Sequence, residues 1–265
     1  MKITMLGTGH AMVNNCFNTC FIMEDNDRAM LVDTGGGYEI LPQIARAGYR
    51  LENIHDIFIS HKHTDHITGI SWILRSFISR KKKNPDTLLR IYGNRDVMNL
   101  VSTLAELQFE DSVTALLGIN LFFITVEDGQ KTDILDNEVT FFDTHARKVT
   151  QYGFIMKDHK DDRYVFCGDE PLAEENFPLA EGCKLLMHES FCMERDACIF
   201  NPHHAKHSTV MEACQTAKKI KAENILIYHT EDRHMDVRKR DYTEEGRDYF
   251  SGGIFVPDDL ERIEF

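Results

Sequence analysis

The chain has 265 residues, 42% of them hydrophobic and 28% charged, which suits a globular protein of one large domain over residues 1–265. Its formal net charge of −13 lacks the basic footprint of a general nucleic-acid binder. No apolar run nears the ~20 residues of a membrane span, so no membrane partner is expected. Seven scattered cysteines and a start without a signal-peptide pattern fit a reducing, cytoplasmic location better than a disulfide framework.

In chain order, residues 3–6 predict a first strand leading into Gly7-Thr8-Gly9. Strands over 19–23 and 29–33 follow, the latter ending in Thr34-Gly35-Gly36-Gly37. Both glycine clusters are too short and wrongly spaced for a P-loop or a dinucleotide fingerprint, and they suit tight turns. The apolar run Asp56-Ile57-Phe58-Ile59 reads as a buried strand. It ends in Ser60-His61-Lys62-His63-Thr64-Asp65-His66, three imidazoles and a carboxylate on one short loop.

Nitrogen and oxygen donors in that density suit a borderline-soft divalent metal such as zinc. Alternate side chains of an extended segment share a face, so His61 and His63 can grip one ion together. A helix predicted over 67–80 carries Ile70, Ile73, Leu74, Phe77 and Ile78 at helical spacing. Asp65 and His66 lie at its mouth and can serve a second ion, as in clamps of two ions about 3.5–4 Å apart. The basic run Arg80-Lys81-Lys82-Lys83 falls at the helix end, where cations suit the dipole. A second run is Arg238-Lys239-Arg240.

Further along, a strand is predicted over 89–92 and a helix over 95–107. Strands over 121–126, 139–144, 152–156 and 164–167 follow. Strands over 185–187 and 225–228 flank a helix with Val210, Ala213, Cys214, Ala217 and Ile220 on one face. Thr209 and Glu212 can form its capping box. No internal repeat is legible. Strands early and late with helices between them suggest two mixed sheets covered by helices.

Three further donors stand at predicted strand ends: His145, Asp169 and His229. Together with His61, His63, Asp65 and His66, their order and spacing resemble the ligand set of the metallo-β-lactamase superfamily over nearly the whole chain. The resemblance implies an αββα sandwich of two mixed β-sheets flanked by helices. It also implies two divalent ions, zinc first, with manganese or iron as alternatives. On that basis His61, His63 and His145 hold one ion, Asp65, His66 and His229 hold the other, and Asp169 bridges them.

Four short stretches are similar to ribonuclease Z in particular. These are Leu6-Gly7-Thr8-Gly9 with Asn18-Thr19, then Leu185-Leu186-Met187-His188-Glu189-Ser190-Phe191, then His207-Ser208-Thr209, and finally His229-Thr230-Glu231-Asp232-Arg233. The resemblance implies hydrolysis of a phosphodiester by a metal-activated hydroxide. Asp65 or Asp169 would orient the nucleophile, and His207 would donate a proton to the leaving oxygen or brace the phosphate. His188, Glu189 and Asp33 are expected to support the ligands from behind.

The chain also departs from that family. Only residues 146–168 separate His145 from Asp169, too few for the basic arm that clasps tRNA once two strands are accommodated. Val13-Asn14-Asn15-Cys16-Phe17 replaces a basic loop near the start, and Glu170 stands where the family usually has threonine. A nucleotide or other small phosphodiester is therefore the expected substrate. The alternatives are the tRNA 3′ endonuclease activity of ribonuclease Z itself, and thioester or lactone hydrolysis on the same fold. The family resemblance allows a homodimer, though no sequence patch demands one.

Overall fold

The computed structural model describes residues 1–81 and 84–265, so Lys82 and Lys83 of the first basic run lie outside the described residues. The strands are β1 (Lys2–Gly7), β2 (Cys20–Asp25), β3 (Arg28–Val32), β4 (Ile54–Ile59), β5 (Leu89–Gly93), β6 (Leu121–Thr125) and β7 (Lys131–Ile134). They continue with β8 (Asn137–Asp143), β9 (Tyr152–Lys157), β10 (Arg163–Phe166), β11 (Leu185–Glu189), β12 (Asn224–Tyr228), β13 (Gly253–Phe255) and β14 (Arg262–Glu264). Two compact units result. The first holds Met1–Gly7, Phe17–Glu127 and Asp259–Phe265, and the second holds Thr8–Cys16 and Asp128–Asp258.

The first unit carries a seven-stranded sheet in the order β14-β1-β2-β3-β4-β5-β6. Its β14, β1, β2 and β3 pair antiparallel, and β3 through β6 pair parallel. The central parallel strands are buried, as β4 shows with Ile57, Phe58 and Ile59 all fully enclosed. Ile70, Ile73, Leu74 and Phe77 of the helix Ile70–Lys81 pack into the same core as Ile57 and Ile59. The helix Arg95–Phe109 starts where the Asn94 side chain accepts the Val97 N–H.

The second unit carries another seven-stranded mixed sheet, β13-β12-β11-β10-β9-β8-β7. A β7–β10 meander is antiparallel and β10 through β13 run parallel. Each unit thus repeats one plan, antiparallel strands followed by parallel strands with helical crossovers, although the sequence shows no repeat. Strand pairing is set by backbone bonds and alternating burial, which different side chains can satisfy equally well. The helix Val210–Lys219 packs Val210, Ala213, Cys214 and Ala217 on the core around Leu186, Ile225 and Ile227. Its expected capping box is present: Thr209 accepts the Glu212 N–H and Glu212 accepts the Thr209 N–H.

Several elements differ from the sequence reading. The helix expected over 67–80 is two pieces, Thr64–Ile67 and Ile70–Lys81. Gly69 separates them because the chain there presses on Thr34: a Cβ at Gly69 would lie 2.0 Å from the Thr34 carbonyl oxygen. The helices Ile40–Arg46 and Met235–Arg247 and the short strands β7, β13 and β14 lacked a legible hydrophobic period and appear only in the structure. Among the described residues no helix is long and apolar enough to cross a membrane.

Candidate functional site

In both sheets the polar residues of interest follow the carboxyl ends of strands, where open α/β sheets present their side chains to ligands. In the first unit, β4 delivers Ser60 and His61, and β3 delivers Asp33. Asp33 Oδ1 accepts the backbone N–H of Ser60 at 2.8 Å, and the Ser60 hydroxyl lies 3.0 and 2.9 Å from the two carboxylate oxygens. Because that hydroxyl donates to Asp33, it accepts from His61 Nδ1 at 3.0 Å. The relay assigns the tautomer that leaves the His61 Nε2 lone pair facing outward. Asp33 Oδ2 also accepts from His66 Nδ1 at 2.7 Å. One buried carboxylate therefore orients two imidazoles.

His61 Nε2 and His63 Nδ1 approach to 2.8 Å, so the two rings converge on the same point as alternation along an extended segment requires. Asp65 Oδ2 lies 3.2 Å from His66 Nε2. Burial pushes the His66 imidazolium down, but Asp65 and Asp33 outweigh it and hold its pKa well above the ordinary value. A buried pocket of this kind favours positive charge, as a proton or a cation. The loop after β3 closes over it: Thr34 donates both N–H and Oγ1–H to the His66 carbonyl at 2.7 and 2.9 Å, and Gly69 donates to Gly35. Gly35 has φ +63, and a Cβ there would strike the Phe17 ring.

In the second unit, His229 follows β12 with φ +60 and His145 follows β8 with φ +57, left-handed conformations that turn each imidazole out of its strand. Asp169 Oδ2 lies 3.8 Å from His229 Nε2. Ligand atoms of Glu189, His207 and His229 all lie within 4.8 Å of one another. Glu189 is fully buried. Its Oε1 accepts the Ser208 N–H at 2.7 Å, and its Oε2 lies 3.5 Å from His207 Nδ1. Burial pushes the His207 pKa down, yet Glu189 and then Asp169 overcome it against Lys148, leaving the net shift upward. Phe191 stacks on the His207 ring at 5.3 Å between centroids.

His145 and His207 line a cavity of about 630 Å³ with Arg147, Glu170, Lys206 and Ser208. The buried Glu170 accepts the Arg147 N–H with both carboxylate oxygens, at 3.3 and 3.1 Å. His188 Nδ1 bonds the Glu189 carbonyl and its Nε2 accepts the Leu172 N–H, so it braces the backbone and does not reach His207 or His229 through a hydrogen bond.

The donor chemistry fits divalent cations in each unit: converging imidazole nitrogens beside a carboxylate in the first, and imidazoles beside Asp169 and Glu189 in the second. Sequence reasoning gave no role to Ser60, His10, Phe191 or Arg238. Ser60 was visible as the residue before His61. His10 packs on Phe191 at 4.5 Å and stands 6.3 Å from the His229 ring, a placement only the fold reveals.

The model of the family described as Anti-Pycsar protein Apyc1 matches residues 1–246. Ribonuclease Z of Bacillus subtilis (strain 168) is 23% identical over 310 residues, covering 98% of each chain. Among solved structures, the metallo-β-lactamase fold protein YhfI from Bacillus subtilis aligns with a TM-score of 0.78 at 21% identity, over 99% of this chain and 98% of the other. Human tRNase Z, short form, aligns at 0.75 and 18% identity, over 100% of this chain and 99% of the other. Two mixed sheets flanked by helices are the metallo-β-lactamase fold.

Proposed function

The chain belongs to the Anti-Pycsar protein Apyc1 family, a metallo-hydrolase related to ribonuclease Z, and on that premise we propose that it is a phosphodiesterase acting on a nucleotide or other small phosphodiester. The metal ligands in this reading are His61, His63, Asp65 and His66 of the first unit and His145, Asp169 and His229 of the second, holding two divalent ions. When bound, such ions lower the pKa of water toward ~7 and polarise a phosphoryl oxygen.

The observation that carries phosphodiester chemistry is the pair His207 and Glu189 beside Asp169 and His229. The upward shift of His207 favours the protonated imidazole, the form that can serve a leaving alkoxide oxygen. Glu189 holds that ring by Nδ1, Phe191 fixes its plane, and Ser208 fixes Glu189. Asp65 or Asp169 orients the attacking oxygen. Arg147 and Lys206 on the cavity wall attract one phosphate, whereas Glu170, Glu174, Glu175 and Glu212 disfavour a long polyanion.

Small size of the substrate is supported by the connection from His145 to Asp169. Among the described residues, 146–168 form β9, the turn to β10, β10 and their short links, with no arm to hold tRNA. Seven free cysteines support a reducing, cytoplasmic setting. The test is a panel of aryl phosphodiester, thioester and lactone substrates on full-length protein of measured metal content. Phosphodiester turnover that disappears with chelation supports the reading. Faster thioester or lactone turnover would replace it.

A further inference from the structure

Arg238 heads the fully buried side chains by volume, with 0% exposure, although it opens the basic run Arg238-Lys239-Arg240. It lies on the helix Met235–Arg247 within the second unit. Nη1 donates to Thr8 Oγ1 at 3.1 Å and to Thr230 Oγ1 at 2.8 Å. Nη2 donates to the Pro257 carbonyl at 2.9 Å and to Asp258 Oδ1 at 3.2 Å. Asp258 is the one carboxylate in the set and its side chain is 54% exposed, so this ion pair returns less than burying a guanidinium costs. The gain lies in geometry: a planar fork ties three chain segments that a lysine ammonium could not span together.

The tied segments converge on His229. Thr230 follows it directly, donates its N–H to the Thr8 carbonyl at 3.0 Å and accepts the His10 N–H at 3.1 Å. The bonds of Thr8 and His10 to Thr230 thereby flank the bridge between Gly9 and Thr230. His229 itself holds φ +60, a conformation a β-carbon disfavours and which surrounding bonds must enforce. We propose that Arg238 is a positioning residue that, through Thr230 and Thr8, aims the His229 imidazole for metal binding. This rests on His229 being a ligand as proposed above.

The experiment is zinc titration by calorimetry on the full-length chain and on Arg238→Met, Arg238→Lys and Thr230→Val, with folding followed by circular dichroism. Thr230→Val removes one hydroxyl of the clamp while keeping shape and the guanidinium. Arg238→Met and Thr230→Val should each weaken zinc binding about tenfold or more, as for loss of a group that orients a ligand. Arg238→Lys should recover part of the loss. Should Arg238→Met not fold, Thr230→Val decides. Zinc affinity within twofold of the parent in folded Thr230→Val overturns the clamp and leaves Arg238 a purely structural residue. A parent chain that binds no zinc overturns the metal reading, and the clamp with it.

Discussion

Asp33 Oδ2 and His66 Nδ1 meet at 2.7 Å with both side chains buried, and the same carboxylate reaches His61 through Ser60. Removing its charge loosens both imidazoles at once. Asp33→Asn should weaken zinc binding by about 10–100-fold, the usual effect of losing a partner behind histidine ligands. Competition against a chelating dye measures it, and an unchanged affinity would refute the orienting role.

Metal binding and proton transfer should separate by mutation. His63→Ala and Asp169→Ala are expected to lose bound metal and turnover together. His207→Ala should keep its metal and lose turnover by about 10²-fold or more, as for a general acid. Elemental analysis beside initial rates distinguishes the two classes. Full turnover in metal-depleted Asp169→Ala would sink the metal mechanism.

Gly69 is fixed by contact. Its added Cβ would lie 2.0 Å from the Thr34 carbonyl oxygen, a backbone atom of the loop that also bonds His66. Gly69→Ala should lower stability by about 1–3 kcal/mol. Urea denaturation checks this, and a midpoint equal to the parent's would mean the loop yields freely.

Much of this was legible in the sequence because local signals carried it. The run of apolar residues before His61, the alternation of His61 and His63, and the Thr209–Glu212 capping box depend on neighbours in the chain, and they appear as expected. The break at Gly69 was not legible, since its cause is Thr34, distant in sequence. The repeated strand plan was hidden because pairing leaves little trace in residue identity. Arg238 stood only as part of a basic run, and the convergence of Thr8, Thr230 and Pro257 explains its burial. His188 is expected to support the site from behind, and in the fold its ring bonds the Leu172 N–H and the Glu189 carbonyl, partners that the chain order alone does not reveal.

Asp232 gives the protein a pH-dependent tie. Its Oδ2 accepts the backbone N–H groups of Asn14 and Asn15 at 2.5 and 2.8 Å. Burial pushes its carboxyl upward, but these N–H bonds and nearby His10 prevail and hold the pKa below the ordinary value. A depressed carboxyl pKa stabilises the fold above the unfolded value near ~4, and the benefit is lost as pH falls through the folded pKa. Asp232→Asn should therefore cost about 1 kcal/mol at pH 7, the scale of a charge-assisted bond made neutral. The gap between variant and parent should shrink below pH ~4. Denaturant curves at both pH values test it, and a gap that grows in acid would contradict the assignment.

The most direct test of the account compares kcat/KM for a cyclic mononucleotide with that for a precursor tRNA, using the same metal-loaded protein. Metal-dependent turnover of the small phosphodiester is expected, with tRNA bound poorly and cut far less efficiently. Efficient 3′ cleavage of the precursor with no turnover of the cyclic nucleotide would contradict it.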